Sequence, residues 1–465
     1  MNMNMNMKKS RYPLGSITPG AFALWGLVSV LCFARFADAS GSEALVHPAR
    51  GEAGVPDLLR GDALLGEAGF KYRIMVDKTR IGNAEDLDRA IKNGTFAGFA
   101  KDGFNIISPR NYFRARPVSD KRLQMIERAA EYAGDLGMYY LQWQRGSFNY
   151  RAYDSAPDTR FVHRDGVVYD AVSPSSERFW ELLEQAVLPL VRISARQPLM
   201  GVFFDFEKYA PDVPDGARPG FVGHWYPPSY GDAAWERFFA DRGGAAPERA
   251  LADRAAYLER RGMDADFREH QYAYWRERAR ELRDKVDAIN PAFRFAVYSA
   301  AYTDFINQAF WKALGTEAVP LLAAEHYTYG RGNPLKDVWG GHWKLSDDQA
   351  LQVDNAYLKS RERYYSDRGP HVLLGGIATS VRGGESPKLV ARKAHLYATN
   401  FDGYWVWYDN EGPEARIESA YDRWFRLANE TILRGGDSVL SDIRDYRDKT
   451  DRAKIRKLID EALGR

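Results

Sequence analysis

Met200-Gly-Val-Phe-Phe-Asp-Phe-Glu207 is a short apolar run that ends in two acids spaced two residues apart. A run of this length, rich in aromatic and branched side chains, reads as a β-strand. Seven similar runs flank it, at residues 72–77, 104–108 and 138–143 before it and at 293–298, 320–326, 371–379 and 403–408 after it. Helical patterns separate them. Residues 120–135 repeat Leu123, Ile126 and Ala130 behind Asp120 as a candidate N-cap, and 178–193, 346–366 and 387–400 read alike. Residues 264–289 form a long charged helix whose charges read as a solvated face, and 415–433 and 440–463 supply closing helices. Strands alternating with helices build a parallel sheet, and eight such units over roughly 390 residues predict a (β/α)8 TIM barrel with extended βα-loops. An open doubly wound sheet carries a glycine-rich phosphate loop after its first strand. Here that position reads Lys78-Thr-Arg-Ile-Gly82, and no Walker, HExxH or GxSxG sequence occurs anywhere.

The N-terminus has a different character. Lys8, Lys9 and Arg11 precede an apolar run from Ala21 to Ala34, and Ala37-Asp38-Ala39 supplies small residues at a cleavage position. This is the pattern of an export signal over residues 1–39, with Ser40 as the first mature residue and a run too short to span a membrane comfortably. The expected division is a signal at 1–39, a lead-in at 40–70, the barrel at 71–435 and a C-terminal helical extension at 436–465. The single cysteine, Cys32, lies inside the signal, so the mature chain has no disulfide or thiolate metal site. Export without cystines points to a bacterial periplasm or exterior. Removing the signal turns the formal charge of +2 into about −1. Nucleic acid thereby loses its electrostatic appeal as a partner, and no membrane insertion is expected after cleavage.

In a strand, alternate side chains share a face, so Asp205 and Glu207 point one way and Phe204 and Phe206 the other. At the C-terminal end of a barrel strand both acids enter the active-site mouth. Neighbouring carboxylates and aromatic burial raise proton affinity, which lets a Glu act as general acid near neutral pH. The segment Phe204-Asp-Phe-Glu207 resembles the strand-four signature of family 18 glycoside hydrolases, the chitinases and their relatives, although Phe203 stands where that pattern has a further acid. Gly403-Tyr-Trp-Val-Trp407 is similar to the strand of those enzymes that ends in a tryptophan under the sugar. The resemblance implies Glu207 as proton donor to the glycosidic oxygen. It also implies that Asp205 orients a substrate 2-acetamido group acting as nucleophile, with a Tyr among Tyr298, Tyr327 and Tyr329 assisting.

Other strand ends carry polar or aromatic groups that suit a carbohydrate: Asp77, Trp143, Gln144, Tyr298, His326, Tyr327, Trp407 and Asp409. Of the 12 tryptophans, eleven lie beyond the signal, and aromatic faces at loops and strand ends suit sugar rings as well as ordinary packing. Glu325 supports a rival scheme, with Asp205 as nucleophile and Glu325 as acid/base, resembling the α-galactosidase-like barrels. A third scheme needs an acid after strand seven, where only Glu385 is available. The histidines are scattered and predict no metal site, although His326 with Glu325, Asp77 and Asp205 is an alternative ligand set. No cofactor is expected. A catalytically silent carbohydrate-binding barrel remains the alternative from another class. Two insertions, 144–176 and 208–232, are rich in Tyr, Pro, Gly and Asp and predict long loops on the catalytic face.

Overall fold

The computed structural model describes residues 70–77, 81–109, 118–145, 148, 159–205, 227–298, 306–328, 345–379, 385–408 and 420–434. Eight parallel strands close into a barrel: β1 (Tyr72–Asp77), β2 (Ile106–Ile107), β3 (Tyr139–Arg145), β6 (Leu199–Asp205), β7 (Arg294–Tyr298), β8 (Leu321–Ala324), β9 (His371–Ala378) and β10 (Gly403–Tyr408). The barrel shuts where β10 returns to β1, with Tyr72 opposite Gly403 and Asp77 opposite Tyr408. Helices follow the strands in turn: α1 (Ala84–Lys92) and α2 (Thr95–Lys101), then α3 (Asp120–Asp135), α4 (Glu177–Ser194), α5 (Asp232–Ala240), α6 (Arg254–Arg260), α7 (Asp264–Asp287), α8 (Asn307–Ala313), α9 (Asp347–Ser366), α10 (Pro387–Asn400) and α11 (Ala420–Arg434). The (β/α)8 fold read from the sequence is therefore the fold observed.

Strand alternation divides the core in two. Side chains such as Met75, Tyr140, Val202, Phe204, Val297 and Ala323 point outward into the shell between sheet and helices. Tyr72, Ile74, Val76, Leu141, Trp143, Phe203, Ala296, Leu322, Leu374 and Trp405 fill the lumen, so the barrel is packed rather than hollow. On β6 the inward residues are Met200 and Phe203, three apart. The spacing follows from a β-bulge: Tyr140 pairs with Leu199 but Leu141 pairs with Gly201, leaving Met200 as the extra residue. Gly201 accepts the squeeze because a Cβ there would stand 1.9 Å from the carbonyl oxygen of Arg294. Beyond the bulge the alternation is regular, so Asp205 follows Phe203 into the lumen face.

Several helix starts are encoded locally. Ser346 accepts from Gln349 N while Gln349 returns a bond to the Ser346 backbone, a capping box that opens α9. Ser386 accepts from Leu389 N ahead of Pro387, which opens α10. Asp120, expected as the cap of its helix, is instead its first residue, and Ser119 holds the cap position. The insertion after β3 holds a feature not anticipated, the antiparallel hairpin of β4 (Arg160–Val162) and β5 (Val168–Val172). With α5, α6 and the start of α7 it builds a small apolar cluster around Val162, Tyr230, Trp235, Phe238, Leu258 and Phe267. The expected helix at 440–463 lies outside the described residues.

Candidate active site

The C-terminal ends of β3, β6, β7, β8 and β10 converge on a bowl of aromatic rings. Trp143 is central. Its ring centroid stands 4.5 Å from Phe203, 5.4 Å from Trp407, 5.9 Å from Tyr298 and 6.5 Å from Trp405. Trp405 is fixed from beneath by a 3.0 Å hydrogen bond from its Nε1 to the Glu325 carbonyl, and it meets Phe203 and Tyr298 at 5.5 Å. His326 lies 5.5 Å from Tyr298, following Leu322 and Ala324 on the inward face of β8. Trp407, Tyr298 and His326 are half-buried while Trp143 and Trp405 are buried, so the bowl deepens from its rim to its floor. Asp205 ends β6 on the same face and is 2 % exposed. A carboxyl group at an apolar, aromatic-walled strand end is an arrangement suited to a sugar, whose C–H faces stack on rings and whose hydroxyls hydrogen-bond.

Other sequence candidates lie elsewhere. Glu325 is fully buried, but its carboxylate points outward to α9. Tyr357 Oη donates to Oε2 at 2.8 Å, Tyr365 Oη donates to Oε1, and the Arg361 guanidinium approaches to 3.5 Å. Burial, together with the neighbouring Glu325 charge, pushes the hydroxyls of Tyr357 and Tyr365 well above the ordinary tyrosine range, so both remain protonated donors. Glu325 is thus on the opposite face of the sheet from the Phe203 and Asp205 side chains, and the structure does not bring the strand-six pairing together. The cause is alternation: β8 turns Leu322 and Ala324 inward and Leu321 and Ala323 outward. Gln144 is misplaced for the same reason. It shares the outer face with Tyr140 and Gln142, next to inward Trp143. Tyr327 packs against the outer core, 5.9 Å from Tyr357, rather than in the bowl.

Glu385 is buried behind the sheet. Lys393 Nζ, itself fully buried, pairs with Glu385 at 2.5 Å and with Asp354 at 2.9 Å, and donates to the Thr328 carbonyl at 2.8 Å. Tyr397 Oη completes the set by donating to Asp354 at 2.7 Å. Burial raises the Asp354 carboxyl to about 6, against the lowering effect of Lys393. Asp77 closes β1 opposite Tyr408, and its side chain lies outside the described residues. Glu207, Asp409 and Tyr329 also lie outside them. Among the described residues no three His, Cys, Asp or Glu side chains are grouped to hold a metal ion. No described helix is long and apolar enough to cross a membrane.

The barrel is one that glycoside hydrolases use. The chain is similar to the β-galactosidase of the psychrophilic Marinomonas ef1, with a TM-score of 0.53 at 9% identity, over 81% of this chain and 62% of that one. It is also similar to the PgaB (BpsB) glycoside hydrolase domain of Bordetella bronchiseptica, with a TM-score of 0.48 at 11% identity, over 76% of this chain and 98% of that domain. A third likeness is to α-L-fucosidase isoenzyme 2 of Paenibacillus thiaminolyticus, with a TM-score of 0.44 at 13% identity, over 79% of this chain. The chain spans half the length of that fucosidase. At these identities the likeness is one of fold. No protein-family model matches the chain, and no curated protein is similar to it in sequence.

Two members of the bowl were not singled out as sugar contacts by the sequence, Phe203 and Trp405. The signal was present: Phe203 shares its face with Asp205, and Trp405 shares its face with Trp407.

Proposed function

We propose that the chain is an exported glycoside hydrolase that cleaves an N-acetylhexosamine-containing polysaccharide or oligosaccharide. The observation that carries this reading is Asp205, a buried carboxylate on the lumen face of β6, beside the aromatic bowl of Trp143, Phe203, Tyr298, Trp405 and Trp407. Glu207 follows two positions later in the sequence, and the reading assigns it to the same side, facing the substrate. There it protonates the departing glycosidic oxygen. Asp205 orients the substrate's 2-acetamido group, whose carbonyl oxygen attacks the anomeric carbon, so no second protein carboxylate is needed as nucleophile. The outward engagement of Glu325 favours this route over the pairing of Asp205 with Glu325. Trp407 and Trp143 take the sugar face, and Tyr298 and His326 take polar positions at its edge.

Fluorination of the acyl group tests the route. Each fluorine withdraws electrons from the acetamido oxygen and weakens it as a nucleophile. The expected result is a steep fall in kcat/KM from acetyl through fluoroacetyl to trifluoroacetyl fluorogenic hexosaminides. A flat dependence sinks substrate assistance, and binding of the sugars without turnover marks a carbohydrate-binding barrel instead.

A further inference from the structure

Trp143, Phe203, Asp205, Tyr298, Trp405 and Trp407 all sit within barrel strands, whereas His326 lies two residues past the end of β8 at Ala324. Its ring nevertheless stands in the bowl, 5.5 Å from that of Tyr298. A strand holds its side chains through its ladder; a residue beyond the ladder needs other ties to keep one direction. The last ladder bond before His326 runs from Glu325 N to the Leu374 carbonyl of β9, at 2.9 Å.

The tie on the far side of His326 is Thr328, whose side chain is fully buried. Its hydroxyl donates to the Gly376 carbonyl at 2.8 Å and accepts from Gly376 N at 2.8 Å. One hydroxyl thereby takes the place of a strand partner and carries the β8–β9 pairing past the end of β8. The Thr328 carbonyl is held in turn by Lys393 Nζ of α10, at 2.8 Å. Lys393 is fixed by its ion pairs with Asp354 of α9 and Glu385. Between the two ties, Tyr327 turns outward and packs toward Tyr357 of α9. The segment is therefore gripped from the helix side at 325, 327 and 328, and His326 is the residue it presents to the lumen.

We propose that Thr328 is a positioning residue for His326, and that the buried Lys393 centre serves the sugar site through it. The inference rests on the glycosidase reading, in which His326 meets the edge of the sugar. Thr328 itself lies behind the sheet and touches no sugar. Valine at 328 keeps the shape of threonine but leaves the N–H and carbonyl of buried Gly376 without the hydroxyl. Restoring their partners requires the backbone at 326–328 to shift, and the His326 ring shifts with it. A ring that loses one hydrogen bond to a sugar hydroxyl weakens binding by about three- to tenfold. His326 holds the substrate rather than transferring the proton, so the loss falls on KM.

The test compares mature wild type, Thr328→Val, Thr328→Ser, His326→Ala and the double variant Thr328→Val/His326→Ala. Serine keeps the hydroxyl and serves as the conservative control. Steady-state kinetics are measured on a fluorogenic 2-acetamido glycoside. The His326 ring is followed by NMR of protein carrying 13C-labelled histidine, its signal assigned by its loss in His326→Ala. For Thr328→Val the expected result is a KM about three- to tenfold higher, a kcat within about threefold of wild type and a shifted His326 signal. Thr328→Ser restores both KM and signal. The double variant is no worse than His326→Ala, within about twofold, because the two residues act through one contact. An unmoved His326 signal in Thr328→Val overturns the proposal, and so do losses that multiply in the double variant. If the wild type cleaves no glycoside, the glycosidase reading falls, while the His326 signal still decides whether Thr328 positions the ring.

Discussion

Trp407 stands at the rim of the bowl, half-buried, with its ring 5.4 Å from that of Trp143. Stacking against such a ring contributes about 1 kcal/mol beyond simple burial, which corresponds to several-fold in affinity. Trp407→Ala is expected to raise KM about fivefold with little change in thermal stability. An unchanged KM removes Trp407 from the sugar site. Glu325→Gln separates the two carboxylate schemes. With its carboxylate occupied by Tyr357, Tyr365 and Arg361, the variant is expected to lose stability and keep its kcat within threefold. If Glu325 were acid/base, kcat would fall at least a hundredfold. The outward orientation of Glu325 and of Gln144 has one origin. Each is the sequence neighbour of an inward residue, His326 or Trp143, and adjacency along a strand means opposite faces. The alternation that assigned Asp205 and Glu207 to one side would have turned both outward. Gln271 is a different matter: it accepts from Ser175 Oγ and Ser229 N, and a lone glutamine in a charged helix carries no local signal of such partners.

The barrel strands were legible because parallel strands buried on both faces leave continuous apolar runs, and β1 and β10 fall where their runs fall. The β4–β5 hairpin was not, since it sits in an insertion dominated by turn-forming residues and forms a two-stranded sheet apart from the barrel. The bulge on β6 sets the phase of Asp205, and it depends on Gly201. Gly201→Ala is expected to cost at least about 3 kcal/mol, because the new methyl collides with a backbone carbonyl that cannot rotate away. Urea denaturation measures it, and a loss below 1 kcal/mol would mean that the β6–β7 contact is slack. Between α9 and α10, Lys393→Met leaves Asp354 and Glu385 buried without their cation and is expected to cost about 3–5 kcal/mol. Asp354 also gives a pH signature. Its folded-state pKa, about 6, exceeds the ordinary aspartate value of 3.8 expected when unfolded. The folded state therefore holds that proton more tightly, and this contribution to stability is full below about 4 and is lost as pH rises toward 6. Relative to wild type, Asp354→Asn should gain in Tm across that window; a relative loss contradicts the assignment.

For the molecule as a whole, the described residues agree on a packed barrel whose C-terminal strand ends carry an aromatic bowl and, on β6, the buried Asp205. Away from the strands, Ser175 ahead of α4 and Ser229 ahead of α5 both donate to Gln271 Oε1 of α7. The export signal belongs to the proposal as well. Protein recovered from a periplasmic or culture fraction is expected to begin at Ser40, and an intact N-terminus in that fraction would contradict cleavage after Ala39. The central claim is glycoside hydrolysis with Glu207 as proton donor. It is tested by offering mature wild type and Glu207→Gln a panel of fluorogenic glycosides with and without 2-acetamido groups. The account predicts turnover of the 2-acetamido glycosides alone and at least a hundredfold loss in the variant, the magnitude expected when a general acid is removed. Equal turnover by both proteins, or cleavage indifferent to the 2-acetamido group, would contradict it.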